Sequence, residues 1–471
     1  NQVLLVFAAL LGEPRAEGLT RVDPVTLGRL IGLDRAPEVK TVRRRMAALA
    51  GRRRSEQLFM ALAAHHGDAH PEAMGVLYVD GHVRAYHGGS DLPRAHLARA
   101  RIAMAATTDC WLADRDGDAV LVWSSPPGEA LTGELKTATA KVRELLGADA
   151  RPTVCFDRGG WSPKLFAELV GAGFDICTYR KGPLTPEPRS AFSGHEVADR
   201  FGHSQVYLLA DRTVRVYYDR RRRYFQCRQV TRLDPVTGHQ TQIVTTRVDL
   251  SAAEVAQVMF GRWREENLFR FMRPRGLEAM DSYAKTADDP TRMVPNPAKA
   301  QMAKQLAAGR AAVAAAKETV FEAAKKDNSG ADTQPITDAE DALDELKRQS
   351  ADIPAKIALG DIRPGAVRLD DERKRLHDAV RMAAWNAEHA LARALGAHYA
   401  RAEDEAHSLL AETFAASADL EVIDDQLHVR IEQLSAPRRS RAIAALCAEL
   451  TATETRYPGT NLKLVYTVKG F

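Results

Sequence analysis

Residues 151–180, RPTVCFDRGGWSPKLFAELVGAGFDICTYR, set a short strand, a helix and a second strand in direct succession. Thr153–Phe156 is an apolar run of strand length that stops at Asp157. Pro163–Val170 repeats apolar residues at helical spacing behind a proline suited to a first helical turn. Gly171–Gly173 stops that helix, and Phe174–Tyr179 returns to strand composition.

Upstream, Val76–Val79 runs into the turn dipeptide Asp80-Gly81 and Val83–Tyr86 leaves it, which predicts a β-hairpin. A second hairpin is expected from Cys110–Ala113 and Ala119–Trp123 around Asp114–Asp118, followed by a helix over Leu131–Leu146. Two hairpins, a helix, a strand, a helix and a strand match the ribonuclease-H-like fold, an α/β class built on a mixed sheet; this first part of the core spans residues 71–181. Residues 182–250 carry further β-type runs (Gln205–Leu209, Val214–Tyr218, Gln242–Thr246) and the basic stretch Arg220–Arg223, and form a β-rich insertion. The core resumes over 251–295 with a helix opened by the capping box Ser251-x-x-Glu254 and continuing to about Met272.

Residues 1–70 are expected to be helical and contain a candidate helix-turn-helix, Val25–Leu30 and Glu38–Leu49, whose second helix carries Lys40, Arg43, Arg44 and Arg45 for DNA phosphates. Residues 296–415 read as helices over Pro297–Lys326, Asp338–Ser350 and Asp371–Leu395, with Asp327–Gln334 as an exposed linker. Their apolar spacing sustains no clean heptad, so packing against the core is their expected use. Residues 416–471 read as a small α+β tail: a strand pair around Leu420–Ile431, a helix near Arg438–Leu450 and the strand Leu462–Val468.

Composition excludes more than it selects. With 66 basic against 62 acidic residues the net charge is +4, too small to mark a nucleic-acid binder without local clustering. No apolar run of about eighteen residues exists, so no membrane association is expected. Val3–Leu11 lacks the flanks of a signal peptide, and a chain beginning at Asn1 rather than Met is expected to have sequence upstream. Five cysteines without a C-x-x-C pair argue against zinc and disulfides and fit the cytoplasm. Asp114-x-Asp116-x-Asp118 resembles the start of a calcium loop, but Gly117 is misplaced and no Glu ligand follows; it reads as a polar turn.

Asp80 and Asp157 each close an apolar strand run, and Glu266 lies on the helix that resumes the core. Transfer of phosphodiesters requires two divalent cations about 4 Å apart, and hard cations need carboxylate oxygens. Taken singly, Asp80 also reads as a hairpin turn, Asp157 as the start of a glycine loop and Glu266 as a solvated helix face.

The segment Gly261–Arg273, GRWREENLFRFMR, resembles the Y-x2-R-x3-E-x6-K signature of bacterial insertion-sequence DDE transposases. Arg262 and Glu266 fall on its Arg and Glu, Arg273 stands at the Lys position, and Met259 replaces the Tyr. Val79-Asp80-Gly81-His82 and Phe156-Asp157-Arg158-Gly159-Gly160-Trp161 resemble the two Asp regions of that family, so the resemblance covers about Gly75–Arg273. It implies a DNA transposase in which Asp80, Asp157 and Glu266 are catalytic and hold two Mg²⁺ ions, with Mn²⁺ as a substitute. Arg262, Arg273 and Trp263 would contact DNA, joined by Lys40, Arg43 and Arg44 of the N-terminal region and by Arg220, Arg221 and Arg222 of the insertion. The implied partners are double-stranded transposon ends and target DNA, bound by a homo-oligomer associated with the nucleoid. Two alternatives stand beside it: a non-catalytic DNA-binding descendant, and another ribonuclease-H-like nuclease, against which the Arg262–Arg273 signature and the insertion argue.

Overall fold

Val76–Val79 is apolar on both sides of its alternation, as a strand buried on both faces must be, and it begins a central strand of the core, β1 (Val76–Ala85). The strands that follow are β2 (Arg94–Leu97), β3 (Ile102–Asp114), β4 (Ala119–Ser125), β5 (Thr153–Phe156), β6 (Asp175–Tyr179), β7 (Ser193–Ala198), β8 (Ser204–Tyr217), β9 (Tyr224–Leu233) and β10 (Gln240–Thr245). This architecture is that of a computed structural model, which describes residues 2–13, 15–89, 92–97, 100–126, 129–182, 185–198, 204–217, 223–262, 268–270, 272–279, 284–326 and 332–471.

All ten strands form one mixed sheet in the order β4-β3-β1-β5-β6-β10-β9-β8-β7, with β2 on the first part of β3. β1, β3 and β4 are antiparallel neighbours, whereas β5 lies parallel to both β1 and β6. The fold is therefore mixed α/β, as the element order predicts. The insertion is β-rich, and its strands do not make a separate layer. β10 pairs antiparallel with β6 (Ile243↔Tyr179), so the insertion extends the open edge of the core sheet. An unpaired edge of backbone donors and acceptors is the natural template for such an addition.

One expectation is corrected here. Asp80-Gly81 is no turn: β1 runs through it without a break, paired with β3 from Leu77↔Asp114 to Ala85↔Ala106. The local preference of Asp-Gly yields to a continuous ladder and to buried contacts of His82 and Arg84 further along the strand. The hairpin expected at Asp114–Asp118 does form between β3 and β4, with Asp114 Oδ1 accepting from the amides of Asp116 and Asp118 at 2.9 and 3.0 Å.

Alternation along the strands sends side chains to two cores. On one face Leu77, Val79, Val154 and Phe156 pack with Leu135, Ala138 and Val142 of the helix Leu131–Leu146 and with Leu165, Phe166 and Leu169 of the helix Pro163–Gly171. Phe166 is fully buried, its ring tilted against Phe156 and edge-on to Trp161 and Phe225 at 5.3–6.0 Å between centroids. On the other face Val76, Tyr78, Cys155 and Cys177 meet Val255, Ala256 and Met259 of the helix Ala252–Gly261, which opens with the capping box at Ser251 and Glu254. The five cysteines form no disulfide and are buried, and burial pushes the Cys227 thiol up to about 12.

Two compact units arise: Asn1–Gly89, Pro93–Tyr283 and Asp371–Phe471 form the first, Ser90–Leu92 and Ala284–Asp370 the second. Residues 296–415 thus fall on both. In the first unit, helix Glu372–Leu395 joins a core with the N-terminal helices Gln2–Leu10, Pro24–Arg29 and Val39–Gly51 through Leu376 and Val380. The tail is α+β, with the helix Pro437–Ala452 and a sheet of Ala418–Ile423, Gln426–Ile431 and Lys463–Val468. In the second unit, helices Pro297–Lys326 and Gln334–Asp352 pack on each other. Met302, Leu306, Gly309, Val313, Ala316 and Val320 are the less exposed positions of the first helix, at heptad spacing. That seam is hidden in the sequence because Gly309 and Ala316 occupy places where large apolar residues would announce it; a Cβ on Gly309 would lie 3.1 Å from Leu343. No helix among the described residues is long and apolar enough to cross a membrane.

The β3–β4 hairpin is tied down by charge. Asp114 pairs with His66 at 2.8 Å, while Asp118 pairs with His389 and Arg393, each at 2.8 Å. The hydrogen bond to Asp114 raises the His66 pKa against the opposing effect of burial. Burial opposes ionisation of Asp118, but hydrogen bonds from His389 and Arg393 outweigh it and hold the carboxyl well below its ordinary range.

Two outcomes are expected. Phe166→Ala should cost about 3–5 kcal/mol in denaturant unfolding, as aromatic truncation in a closed core does; a change under about 1 kcal/mol would mean that the site collapses around the gap. A raised histidine pKa stabilises fully below the unfolded value of 6.5 and loses its effect as pH rises through the folded value. Stability should therefore decline from pH 6 toward 9, and His66→Gln should flatten that decline. Asp118 acts in the opposite window: its contribution is present above the ordinary value of 3.8 and disappears as pH falls.

Candidate active site

The register of β1 with β5 decides the site. Tyr78↔Cys155 and Val79↔Phe156 are the last partners in the parallel ladder, and the next residues are Asp80 on β1 and Asp157 one position past the end of β5. In-register residues of adjacent strands project to one face, here the face of Tyr78 and Cys155, which the helix Ala252–Gly261 covers. β5 stops at Phe156, and Asp157 opens the turn Arg158–Gly160 by accepting from the Gly159 amide at 2.7 Å. Gly160 lets that turn close, since a Cβ there would come within 2.5 Å of the Phe156 ring.

Arg262 caps the covering helix and places Nη1 at 3.2 Å from Asp80 Oδ2. Its reach depends on a close approach one residue earlier. A Cβ on Gly261 would stand 2.6 Å from the Tyr78 hydroxyl, which donates to the Val258 carbonyl at 2.8 Å. The even-numbered residues of β1 continue the same face. The His82 ring stacks on Phe269 with centroids 5.1 Å apart, and its Nε2 lies 3.2 Å from Glu278 Oε1. Glu278 also faces Arg273, whose Nε is 3.6 Å away. The hydrogen bond from His82 holds the Glu278 carboxyl below its ordinary range against partial burial. Leu268 and Met272 are fully buried, and the chain turns at Gly276 (φ 84°) with the Leu277 amide returning to the Met272 carbonyl.

Of the residues expected at the site, Asp80, Asp157, Arg262 and Arg273 lie on this face or at its end, and Glu266 and Trp263 fall outside the described residues. Lys40, Arg43 and Arg44 are exposed on the helix Val39–Gly51, whose Val42 and Met46 are buried; Arg43 lies 3.4 Å from Glu17. Arg220, Arg221 and Arg222 also fall outside the described residues. Sequence reasoning missed His82 and Glu278. A period of two from Asp80 would have found His82, whereas nothing in the local sequence marks Glu278.

Asp80 on β1 and Asp157 just past β5 offer carboxylate oxygens, the donor type of a hard divalent cation. Asp80 keeps 22% of its side-chain surface accessible, with Oδ1 accepting from the Gly81 amide at 2.8 Å and Oδ2 facing Arg262, a cation that a metal would have to displace. A second group, His66, Asp114 and Asp118, holds ligand atoms within 4.8 Å of one another. It fits poorly, because amides, His389 and Arg393 already occupy its oxygens and the Arg393 guanidinium opposes another cation.

No curated protein matches the sequence. A solved piggyBac transposase synaptic complex with hairpin DNA is 9% identical, with a TM-score of 0.28 over 43% of this chain and 41% of that one. This chain thus spans less than half of that protein, and so low a score carries no structural argument. The family model Transposase_29, described as a transposase protein, matches residues 1–470. The chain belongs to that transposase family.

Proposed function

We propose that the protein is a DDE transposase that cuts and joins DNA at transposon ends, on a ribonuclease-H-like core of the kind found in bacterial insertion-sequence enzymes. The observation that supports this reading is the parallel register of β1 with β5, which ends one position before Asp80 and Asp157, together with Arg262 at the end of the covering helix, 3.2 Å from Asp80. The sheet order β4-β3-β1-β5-β6, antiparallel and then parallel, supports the fold assignment.

Asp80, Asp157 and Glu266 would hold two Mg²⁺ ions, or Mn²⁺ in their place. Bound there, the ions would activate the attacking oxygen and stabilise the leaving one. The chain's own groups orient and balance charge. Arg262 pairs with Asp80 and would turn a guanidinium edge toward a phosphate. Arg273 would bind a phosphate while Glu278 limits the freedom of its side chain. Trp263, together with Arg220, Arg221 and Arg222, would contact the transposon end. Lys40, Arg43 and Arg44 would follow flanking duplex, with affinity that falls as salt rises. Two copies would pair two ends, in the cytoplasm at the nucleoid.

The test is Mn²⁺ binding followed by paramagnetic resonance, alongside nicking of supercoiled plasmid. Wild-type protein should bind the ion and nick, whereas Asp80→Asn and Asp157→Asn should lose both with unchanged circular dichroism. Retardation of DNA without metal binding or nicking would instead identify a non-catalytic descendant. Gly261→Val should depress nicking as severely as Arg262→Ala, because the added side chain displaces the helix from Tyr78; full activity in Gly261→Val would disprove the role given to that approach.

A further inference from the structure

Five charged side chains form a buried chain beneath the site, and both of its ends reach backbone carbonyls of one turn. Arg84 Nη1 donates to the Ala279 carbonyl at 2.9 Å, and its Nη2 pairs with Asp109 Oδ2 at 2.7 Å. Asp109 Oδ1 accepts from Lys374 at 2.8 Å, and Lys374 also pairs with Asp378. Asp378 takes Arg381 at 3.1 Å, and Arg381 Nε donates to the Arg275 carbonyl at 3.2 Å. None of the five is more than 4% exposed. The signs alternate, and the one cation in excess is balanced by the carbonyl dipoles at the two ends.

Burying five charges is a costly way to join elements, since apolar residues of equal volume hold surfaces together at least as well. An apolar layer cannot fix the position of particular carbonyl oxygens, which this chain does at both ends of the turn Arg275–Ala279. That turn finishes the segment carrying Phe269, Arg273 and Glu278, and Glu266 stands three residues before Phe269.

We propose that Arg84, Asp109, Lys374, Asp378 and Arg381 are positioning residues that clamp the turn Arg275–Ala279 and thereby hold Arg273 and Glu278 at the end of the face that carries Asp80 and His82. This rests on the transposase reading of the site. The C-terminal helix Glu372–Leu395, distant in sequence from every candidate ligand, is then part of the frame of the active centre.

Removing one member upsets the balance of buried charge and endangers folding, so the decisive variant is the pair Arg84→Met with Asp109→Leu, which deletes one cation together with one anion and leaves Lys374 and Arg381 paired with Asp378. Amide hydrogen exchange in the full-length protein should accelerate at least about tenfold over Leu268–Ala279 and stay unchanged in the helix Leu131–Leu146. The Mn²⁺ concentration for half-maximal binding should rise about tenfold, and Arg84→Lys should recover part of it. Unchanged exchange would overturn the clamp, and faster exchange with an unmoved Mn²⁺ midpoint would reduce the chain to a structural support. If the wild-type protein bound no Mn²⁺, the two-metal reading would fall with its positioning role, while exchange would still decide whether the turn is clamped.

Discussion

Everything at the candidate site follows from the parallel pairing of β1 with β5. A slip of one residue would turn Asp80 to the face occupied by Val79 and Phe156, since side chains alternate strictly along a strand. That slip would carry the Asp80 carboxylate into the apolar core that Leu77 and Val79 share with Phe156, away from water and from Arg262. Register is thus set by burial, and the two carboxylates take their places from it. The covering helix depends on the same pairing, because its approach through Gly261 is to Tyr78, the residue facing Cys155 in the ladder.

Much of the core is legible from sequence because its signals are local. Thr153–Phe156 and Leu131–Leu146 begin and end where composition and periodicity place them. The capping box at Ser251 and Glu254 likewise forms as its spacing predicts. The misreading at Asp80-Gly81 shows the limit of that approach: a dipeptide that favours a turn in isolation becomes mid-strand when a partner strand pairs along its whole length. Similarly, the seam of the two long helices rests on Gly309 and Ala316, which periodicity of large apolar residues does not detect.

The site divides in the same manner. Asp80 and Asp157 stand out because apolar strand runs end at or pass through them. Glu278 and Asp109 do not, because their significance lies in partners far along the chain: Glu278 with His82, and Asp109 with Arg84 and Lys374. Long-range ion pairs leave no periodic trace. The parts of the site that bear charge are therefore partly readable, while the parts that hold it in place are not.

Ala284–Asp370, the larger part of the second unit, begins and ends at neighbouring residues. The Asp370 amide bonds to the Ala284 carbonyl at 2.9 Å, and Lys285 pairs with Leu369 at the start of a short ladder. For the first unit this whole insertion is equivalent to one tight turn. The entropy of closing a loop grows only with the logarithm of its length, and here the closure is made by the insertion's own backbone. Length and content between those two residues are consequently free to drift during evolution, while the two ends of the insertion stay paired.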